Sequence, residues 1–519
     1  MATHYDVVII GSGAGGGTLA HALSATGKRI LIIERGPYLK RERENWDPKA
    51  VFVDARYQST EIWHDQHGKS FHPGIHYYVG GNTKMYGAAL FRLRHEDFGV
   101  QRHHGGMSPS WPLGYQDFEP FYSEAEHLYQ VHGEHGVDPT EPPASRPYRF
   151  KPVSHEPRIQ KLYDDLTALG YHPFPLPLGV MLDEKDGAPT PSSRCVRCDA
   201  FDGYPCLVNG KADAQVICVD PALESGNVTL LTETIVEQIK TNESGTTVTS
   251  VIARHDGEEL EFSGDIVVVA CGAINSAALL LRSKSSSHPN GLANGSDVVG
   301  RHYMRHNNSA FMAIGKEPNP TVFQKTMAIN DFYFNAPDFD FPLGHIQMLG
   351  KTHGPTIMSE APGWLLVKPQ ALFQGMATHS VDFWLTSEDL PDPNNRVTLD
   401  ASGNIVLSLT ENNMEGHRRL QQKLHDMLGR LDYHPHLLPH HLYLGQGIPI
   451  GGTAHQNGTI RFGLDPATSA LDTNCKAHEL DNLYVVDASF FPSCGAVNPT
   501  LTIIANALRV AEHLKDRLR

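Results

Sequence analysis

Tyr5-Asp-Val-Val-Ile-Ile-Gly-Ser-Gly-Ala-Gly-Gly16 decides the fold of this 519-residue chain. Tyr5 to Ile10 is a short apolar run rich in β-branched residues, the composition of a buried parallel strand. Gly11-x-Gly13-x-x-Gly16 follows without a break. The first glycine permits a tight turn from strand to helix. The second lets the backbone approach a pyrophosphate, and the third lets helix and strand pack closely. A helix is predicted to about Ser24, with Leu19 and Leu23 on one face. Gly27 stops it, and Arg29 to Ile33 is a second buried strand ending at Glu34. The unit takes about thirty residues, as a βαβ motif requires. Glu34 stands eighteen residues beyond Gly16, close to the roughly 20 expected of an acid that hydrogen-bonds a ribose hydroxyl. A carboxylate there repels a 2′-phosphate, so an NADP-type ligand is disfavoured. The phosphate would sit on the helix N-terminus, where unpaired N–H groups and the dipole favour negative charge.

Outward from this unit, strand-like runs recur at Val228-Thr-Leu-Leu231, Thr234-Ile-Val236, Ile266-Val-Val-Val-Ala270 and Asn482-Leu-Tyr-Val-Val-Asp487. Strands of the nucleotide-binding type thus stand at the start, middle and end, which predicts a cofactor domain discontinuous in sequence. Asn498-Pro-Thr500 opens a final helix with apolar positions at Leu501, Ile504, Leu508 and Val510. Phe383-Trp-Leu385 and Arg396-Val-Thr-Leu399 alternate with period two, suggesting a sheet with one exposed face. Residues 137–157 read as a linker or surface excursion.

The composition, 40% apolar and 19% charged, is that of a globular chain and excludes wholesale disorder. A net charge of −15 repels phosphate backbones, so nucleic acid is not an expected partner. No run approaches the ~18 apolar residues of a membrane span. The first apolar run, Val7 to Ile10, is too short for a signal peptide. A cytoplasmic protein with no membrane partner is expected. Seven cysteines, an odd number, suit a reducing compartment.

The N-terminal unit, Gly80-Gly-Asn-Thr-Lys-Met-Tyr-Gly-Ala88, Cys271-Gly-Ala-Ile-Asn-Ser276 and the final seventy residues together resemble the glucose–methanol–choline (GMC) family of flavoproteins. The most specific stretches are His455-Gln-Asn-Gly-Thr-Ile-Arg-Phe-Gly463, Asn482-Leu-Tyr-Val-Val-Asp-Ala-Ser489 and Asn498-Pro-Thr-Leu-Thr502. Within the family the chain is most similar to the pyranose oxidase and bacterial C-glycoside 3-oxidase branch. The resemblance implies an α/β fold with a Rossmann-like FAD-binding domain, discontinuous over 1–105, 215–300 and 450–519. A second, α+β substrate domain with a mostly antiparallel sheet would occupy 106–214 and 301–449.

The resemblance also implies an activity: FAD-dependent oxidation of a secondary ring hydroxyl of a pyranose sugar or C-glycoside to the keto form. Hydride would pass to flavin N5, and oxygen or a quinone would reoxidise the flavin. A hydroxyl cannot lose hydride unless its proton is removed, and a neutral imidazole with a pKa near 6.5 suits that task. The family's base falls on His455. Its partner falls on Asn498, which would orient the hydroxyl and steady developing alkoxide charge. Asparagine before Pro499 is also a good helix N-cap.

Cofactor contacts carry over to Gly11, Gly13, Gly16, Glu34, Arg35, Gly80, Gly81, Asn82, Thr83 and Gly87, and to Asp487, Pro499 and Thr500. Val236 corresponds to a residue whose backbone meets the adenine, and is otherwise a plain strand valine. Some relatives attach the flavin through a histidine at the position of Met85. A thioether is no nucleophile for that linkage, so FAD is expected to be non-covalent. A homo-oligomer is compatible with the sequence.

Cys195-x2-Cys198-x7-Cys206, with Cys218 twelve further on, places four thiols in one segment. Four thiolates could hold zinc or an iron–sulfur cluster. The adjacent cysteines of cluster-bearing dehydrogenase relatives are missing, so no metal is expected. The alternative is a sugar dehydrogenase subunit that passes electrons through a cysteine-bound cluster to a partner. The groups His64/His67, His103/His104 and His434/His436/His440/His441 read as solvated loop histidines. Trp384 and Tyr443 could stack on a sugar face, although buried core aromatics are the commoner case.

Overall fold

The strand Thr3–Ile10 leaves solvent at Val7 and is buried from there to its end. The structure, a computed structural model, describes residues 2–360, 370–431, 446–447, 450–452 and 454–519. Thr3–Ile10 pairs in parallel with Ile30–Ile33 on one side and with the end of Glu258–Val269 on the other. Val228–Leu231 extends the sheet beyond Ile30–Ile33, and Leu483–Val485 pairs in parallel with Val267 to Val269. Ile10 lies opposite both Ile33 and Val269, and Val269 opposite Val485. The carboxyl ends of these parallel strands are therefore level, forming the edge at which open α/β sheets bind ligands. The helix Ala14–Ser24 starts from this edge and packs on the C-terminal helix Thr500–Arg517.

Glu258–Val269 serves two sheets' worth of pairing. Its first half pairs antiparallel with Val248–His255, which pairs antiparallel with Thr234–Thr241. Thr234-Ile-Val236, expected as a buried strand, is thus a half-exposed antiparallel edge: Ile235 is 44% exposed.

The second sheet runs in the order Gln446–Gly447, Asn307–Ile314, Ser380–Ser387, His345–Met348, Met327–Ile329, Pro173–Pro175, and every neighbouring pair is antiparallel. Alternation divides its side chains. Phe311, Ala313, Val381, Phe383, Leu385, Ile346 and Met348 form a core with Ile159, Leu162 and Leu166 of one helix and Leu420, Leu424 and Met427 of another. Each large aliphatic buried there contributes about 1.5–3 kcal/mol. The opposite face carries Asn308, Asp382, Trp384, Thr386, His345 and Gln347, as the register requires. The period-two reading of Phe383-Trp-Leu385 is right, but this second face is not open to water. It is a polar roof over the carboxyl edge of the parallel sheet, where Thr386 donates to the Ala496 carbonyl at 2.6 Å. Arg396–Leu399 belongs to a separate four-stranded sheet and buries Val397.

Candidate active site

The turn after the first strand is held by its backbone. Gly11 has φ +103°, and a Cβ there would lie 2.3 Å from the Ala270 carbonyl oxygen. Gly16 packs equally close, its Cβ position 2.1 Å from the Gly11 carbonyl oxygen. Gly13 is different: it caps the helix Ala14–Ser24 with no side-chain hydrogen bond, and a Cβ there would meet nothing within 4 Å. The helix N-terminus thus opens onto free space with its first N–H groups uncapped.

Glu34 is buried beside this turn. Its carboxylate accepts from the Ser12 hydroxyl at 2.6 Å, the Ser12 N–H at 3.1 Å and the Gly36 N–H at 2.9 Å. Burial raises its pKa, and these donors together with Arg35 oppose the rise. The Arg35 guanidinium lies over the Tyr77 ring, 3.7 Å from its centroid, and 3.5 Å from Glu61. Val236 stands near by, because the Thr234 N–H donates to the Glu34 carbonyl at 3.0 Å.

The segment Gly80–Gly87 lies over the same turn. The Gly80 N–H donates to the Ser12 hydroxyl at 3.0 Å, and Gly81 approaches Gly13 so closely that its Cβ position is 3.2 Å from the Gly13 Cα. Asn82 accepts from the His76 N–H at 2.8 Å, and Thr83 accepts from the Ala214 N–H at 3.0 Å. Met85 is buried. A Cβ on Gly87 would fall 1.8 Å from Asp202 Oδ1 and 2.3 Å from Lys325 Nζ, so any larger residue would displace that ion pair.

Asp487 follows the strand Leu483–Val485 and accepts from the Gly272 N–H at 3.0 Å, the Ser489 N–H at 2.9 Å and the Ser276 hydroxyl. Burial raises its pKa and these donors oppose the rise. Pro499 precedes the helix Thr500–Arg517, whose N-terminus has no side-chain cap. Asn498 does not cap it. Its side chain turns instead toward His455.

There the second group assembles. Asn498 Nδ2 lies 3.4 Å from His455 Nε2, and Gln347 Nε2 donates to Asn498 Oδ1 at 3.0 Å. His455 Nδ1 lies 3.1 Å from His306 Nδ1. Enclosure pushes the His455 pKa well below 6.5, and His306 and Lys325 push the same way. Lys325 is buried and paired to Asp202 at 2.5 Å. His345 Nδ1 bonds Asn330 Oδ1 at 2.7 Å. Its Nε2 and the Gln347 Oε1 are buried without a hydrogen-bond partner among the described residues. Trp384 is half-buried on the same face, opposite Gln347.

His306, Lys325, His345 and Gln347 were not singled out from the sequence, and no motif marks them. The one available signal was alternation, since His345 and Gln347 share a face of a period-two strand. Of the flagged cysteines, Cys218 is drawn away, with its Sγ 3.4 Å from the Tyr129 hydroxyl. Burial pushes the Cys195 and Cys198 thiols up to about 11 and about 12. Among the described residues no three His, Cys, Asp or Glu side chains converge as metal ligands. His67 is exposed, but His103 departs from the loop reading: it is buried, with Nε2 3.0 Å from Glu388. His104 lies against the Phe339 and Phe341 rings. His434, His436, His440, His441 and Tyr443 lie outside the described residues. No helix among the described residues is long and apolar enough to cross a membrane.

Residues 185–308 and 446–507 match the family described as GMC oxidoreductase, and residues 9–43 match NAD(P)-binding Rossmann-like domain. The chain is 29% identical to 6‴-hydroxyparomomycin C oxidase of Streptomyces lividus over 99% of its length and 92% of that protein's. It is 28% identical to paromamine 6′-oxidase of Streptomyces fradiae over 98% and 91%. Among solved structures it resembles pyridoxine 4-oxidase from Mesorbium loti, with a TM-score of 0.64 and 18% identity over 98% of both chains.

Proposed function

The chain belongs to the GMC oxidoreductase family, and from that premise we propose that it oxidises a secondary ring hydroxyl of a pyranose sugar or C-glycoside to a ketone, with His455 as the base. The family's cofactor is FAD, and the chain fits it. The uncapped helix N-terminus and the open space at Gly13 suit a pyrophosphate, and Glu34 at the end of its strand suits a ribose. In this reading Gly11, Gly16, Arg35, Val236 and the Gly80–Gly87 segment would border the dinucleotide, and Asp487, Pro499 and Thr500 the flavin.

One observation carries the reading. His455 and Asn498 meet at 3.4 Å beneath a sheet face whose His345 Nε2 and Gln347 Oε1 are unsatisfied acceptors. A buried acceptor without a donor costs about 1–3 kcal/mol, and neighbouring hydroxyls of a sugar would remove that cost. When bound, FAD supplies the acceptor for the hydride that leaves the substrate carbon. His455 Nε2 takes the hydroxyl proton, and the carbonyl forms as both depart. Asn498 donates to the oxygen as it gains charge. The buried Lys325 ammonium adds a positive field, and also keeps His455 neutral and ready to accept. Trp384 offers a ring for the sugar's apolar face.

A second reading has a specific support. Two of the relatives are named 6‴-hydroxyparomomycin C oxidase and paromamine 6′-oxidase, so an aminoglycoside hydroxyl is the rival substrate. Anaerobic mixing with glucose, a C-glucoside and paromamine separates the two. Bleaching of the flavin by glucose or the C-glucoside, with a ring ketone as product, is expected. Bleaching by paromamine alone would replace the reading, and bleaching by none would end it. Under air, peroxide formation would identify oxygen as the acceptor; iron and labile sulfide in the protein would point instead to a cluster-bearing dehydrogenase.

The buried Met85 offers no nucleophile. Acid precipitation is therefore expected to release all the flavin into the supernatant, and colour retained in the pellet would show a covalent link.

A further inference from the structure

His306 is wholly buried against the base, and its carbonyl accepts from Asn308 Nδ2 of the polar roof at 2.9 Å. Its Nε2 lies 3.2 Å from the Cys494 carbonyl oxygen. A carbonyl only accepts, so this nitrogen carries the hydrogen. A neutral imidazole has one N–H, and burial lowers the His306 pKa. Its Nδ1 is therefore a bare acceptor. That nitrogen is 3.1 Å from His455 Nδ1, with the two rings crossing at 89°. One of these two nitrogens must hold a hydrogen, and it can only be the one on His455. His455 Nε2 is then left with its lone pair toward Asn498 Nδ2, a donor. The other end of the chain agrees, because Gln347 donates to Asn498 Oδ1 and turns the Asn498 amide nitrogen toward the base.

The backbone around His306 is built to hold this arrangement. His306 has φ +64°, a left-handed conformation uncommon outside glycine, though one that histidine and asparagine adopt more readily than most. Asp389 fixes it by accepting from the His306 N–H and the Arg305 N–H, both at 2.9 Å. The same carboxylate accepts from the Cys494 thiol at 3.3 Å, so it also anchors the residue whose carbonyl places the proton.

We propose that His306 is a positioning residue that holds the proton of His455 on Nδ1 and so reserves Nε2 for the substrate's hydroxyl proton. The proposal rests on His455 being the base. The hydrogen bond made by one ring nitrogen decides the state of the other. Were the proton on Nε2, His455 would donate to the substrate oxygen and could still bind it, but could not take its proton.

The test uses the FAD-loaded protein and two variants. His306→Gly suits φ +64° and removes the acceptor. His306→Asn also tolerates that φ and restores an acceptor, Oδ1, near the place of Nδ1. At saturating sugar His306→Gly is expected to slow flavin reduction about 10²-fold, the upper end of such outer-shell effects, with the sugar dissociation constant unchanged. His306→Asn is expected to recover to within about tenfold of the parent. Independently, nitrogen-15 NMR of labelled histidine, with His455 assigned by its loss in His455→Asn, should show Nδ1 protonated and Nε2 bare. A proton found on Nε2, equal rates in the two variants, or a parental rate in His306→Gly would overturn the proposal. If His455→Ala itself kept its rate, the assignment of the base would fail instead, so the two failures are distinguishable.

Discussion

His455→Ala is expected to slow reduction of the bound flavin by sugar about 10²–10⁴-fold, the range general base catalysis supplies. The substitution deletes the ring nitrogen that faces Asn498. The ring is only partly buried, and its removal leaves Asn498 still bonded to Gln347, so the fold and the FAD site should survive. Anaerobic stopped-flow with the parent and the variant measures the effect. A variant within tenfold of the parent would remove His455 from the chemistry.

The pH profile of the parent carries the same argument. A protonated imidazole cannot accept the hydroxyl proton, so activity is lost as pH falls through the His455 pKa. Enclosure, His306 and Lys325 all lower that pKa. The reduction rate should therefore be flat through the neutral range, falling only well below the ordinary imidazole value of about 6.5. An inflection at the ordinary value would mean that His455 sits in water.

Gly13→Ala is expected to yield a folded, colourless protein. The residue has φ −69° and ψ −165°, which alanine adopts without strain, and its added methyl would meet nothing within 4 Å. The open space it fills is where the pyrophosphate must approach the helix N-terminus. FAD affinity should thus fall by at least about 10²-fold, which is about 2.7 kcal/mol of binding, while the thermal midpoint of the flavin-free protein stays as in the parent. Gly15→Ala supplies the contrast. Its Cβ would lie 2.0 Å from the Val486 carbonyl oxygen, a backbone atom with no room to yield. That variant should lose about 3 kcal/mol or more of stability, with or without FAD. Equilibrium FAD titration and calorimetry on both proteins separate the two effects. If Gly13→Ala bound FAD as the parent does, the phosphate would not lie at this turn.

Legibility in the sequence divided along local and non-local lines. The run from Tyr5 to Glu34 was readable because every part of its meaning is local. Strand, turn and helix follow each other within one motif, and the glycines act through their own backbone. The pair His455 and Asn498 was reachable only by resemblance, since 43 residues separate them and no spacing rule brings them together. Asn498 looked equally like a helix cap, and only the placement of Gln347 shows where its amide points. Phe383-Trp-Leu385 announced two faces but not what lay against the second.

By itself the sequence determined a nucleotide-binding βαβ opening and an acid poised at its second strand, because short-range sterics need no distant partner to act. Tertiary structure alone decided that the polar side of the antiparallel sheet roofs the parallel strands' carboxyl edge, and that His306, 149 residues away, meets His455. Such meetings depend on how two separately formed sheets pack, and packing joins surfaces whose residues carry no trace of one another along the chain.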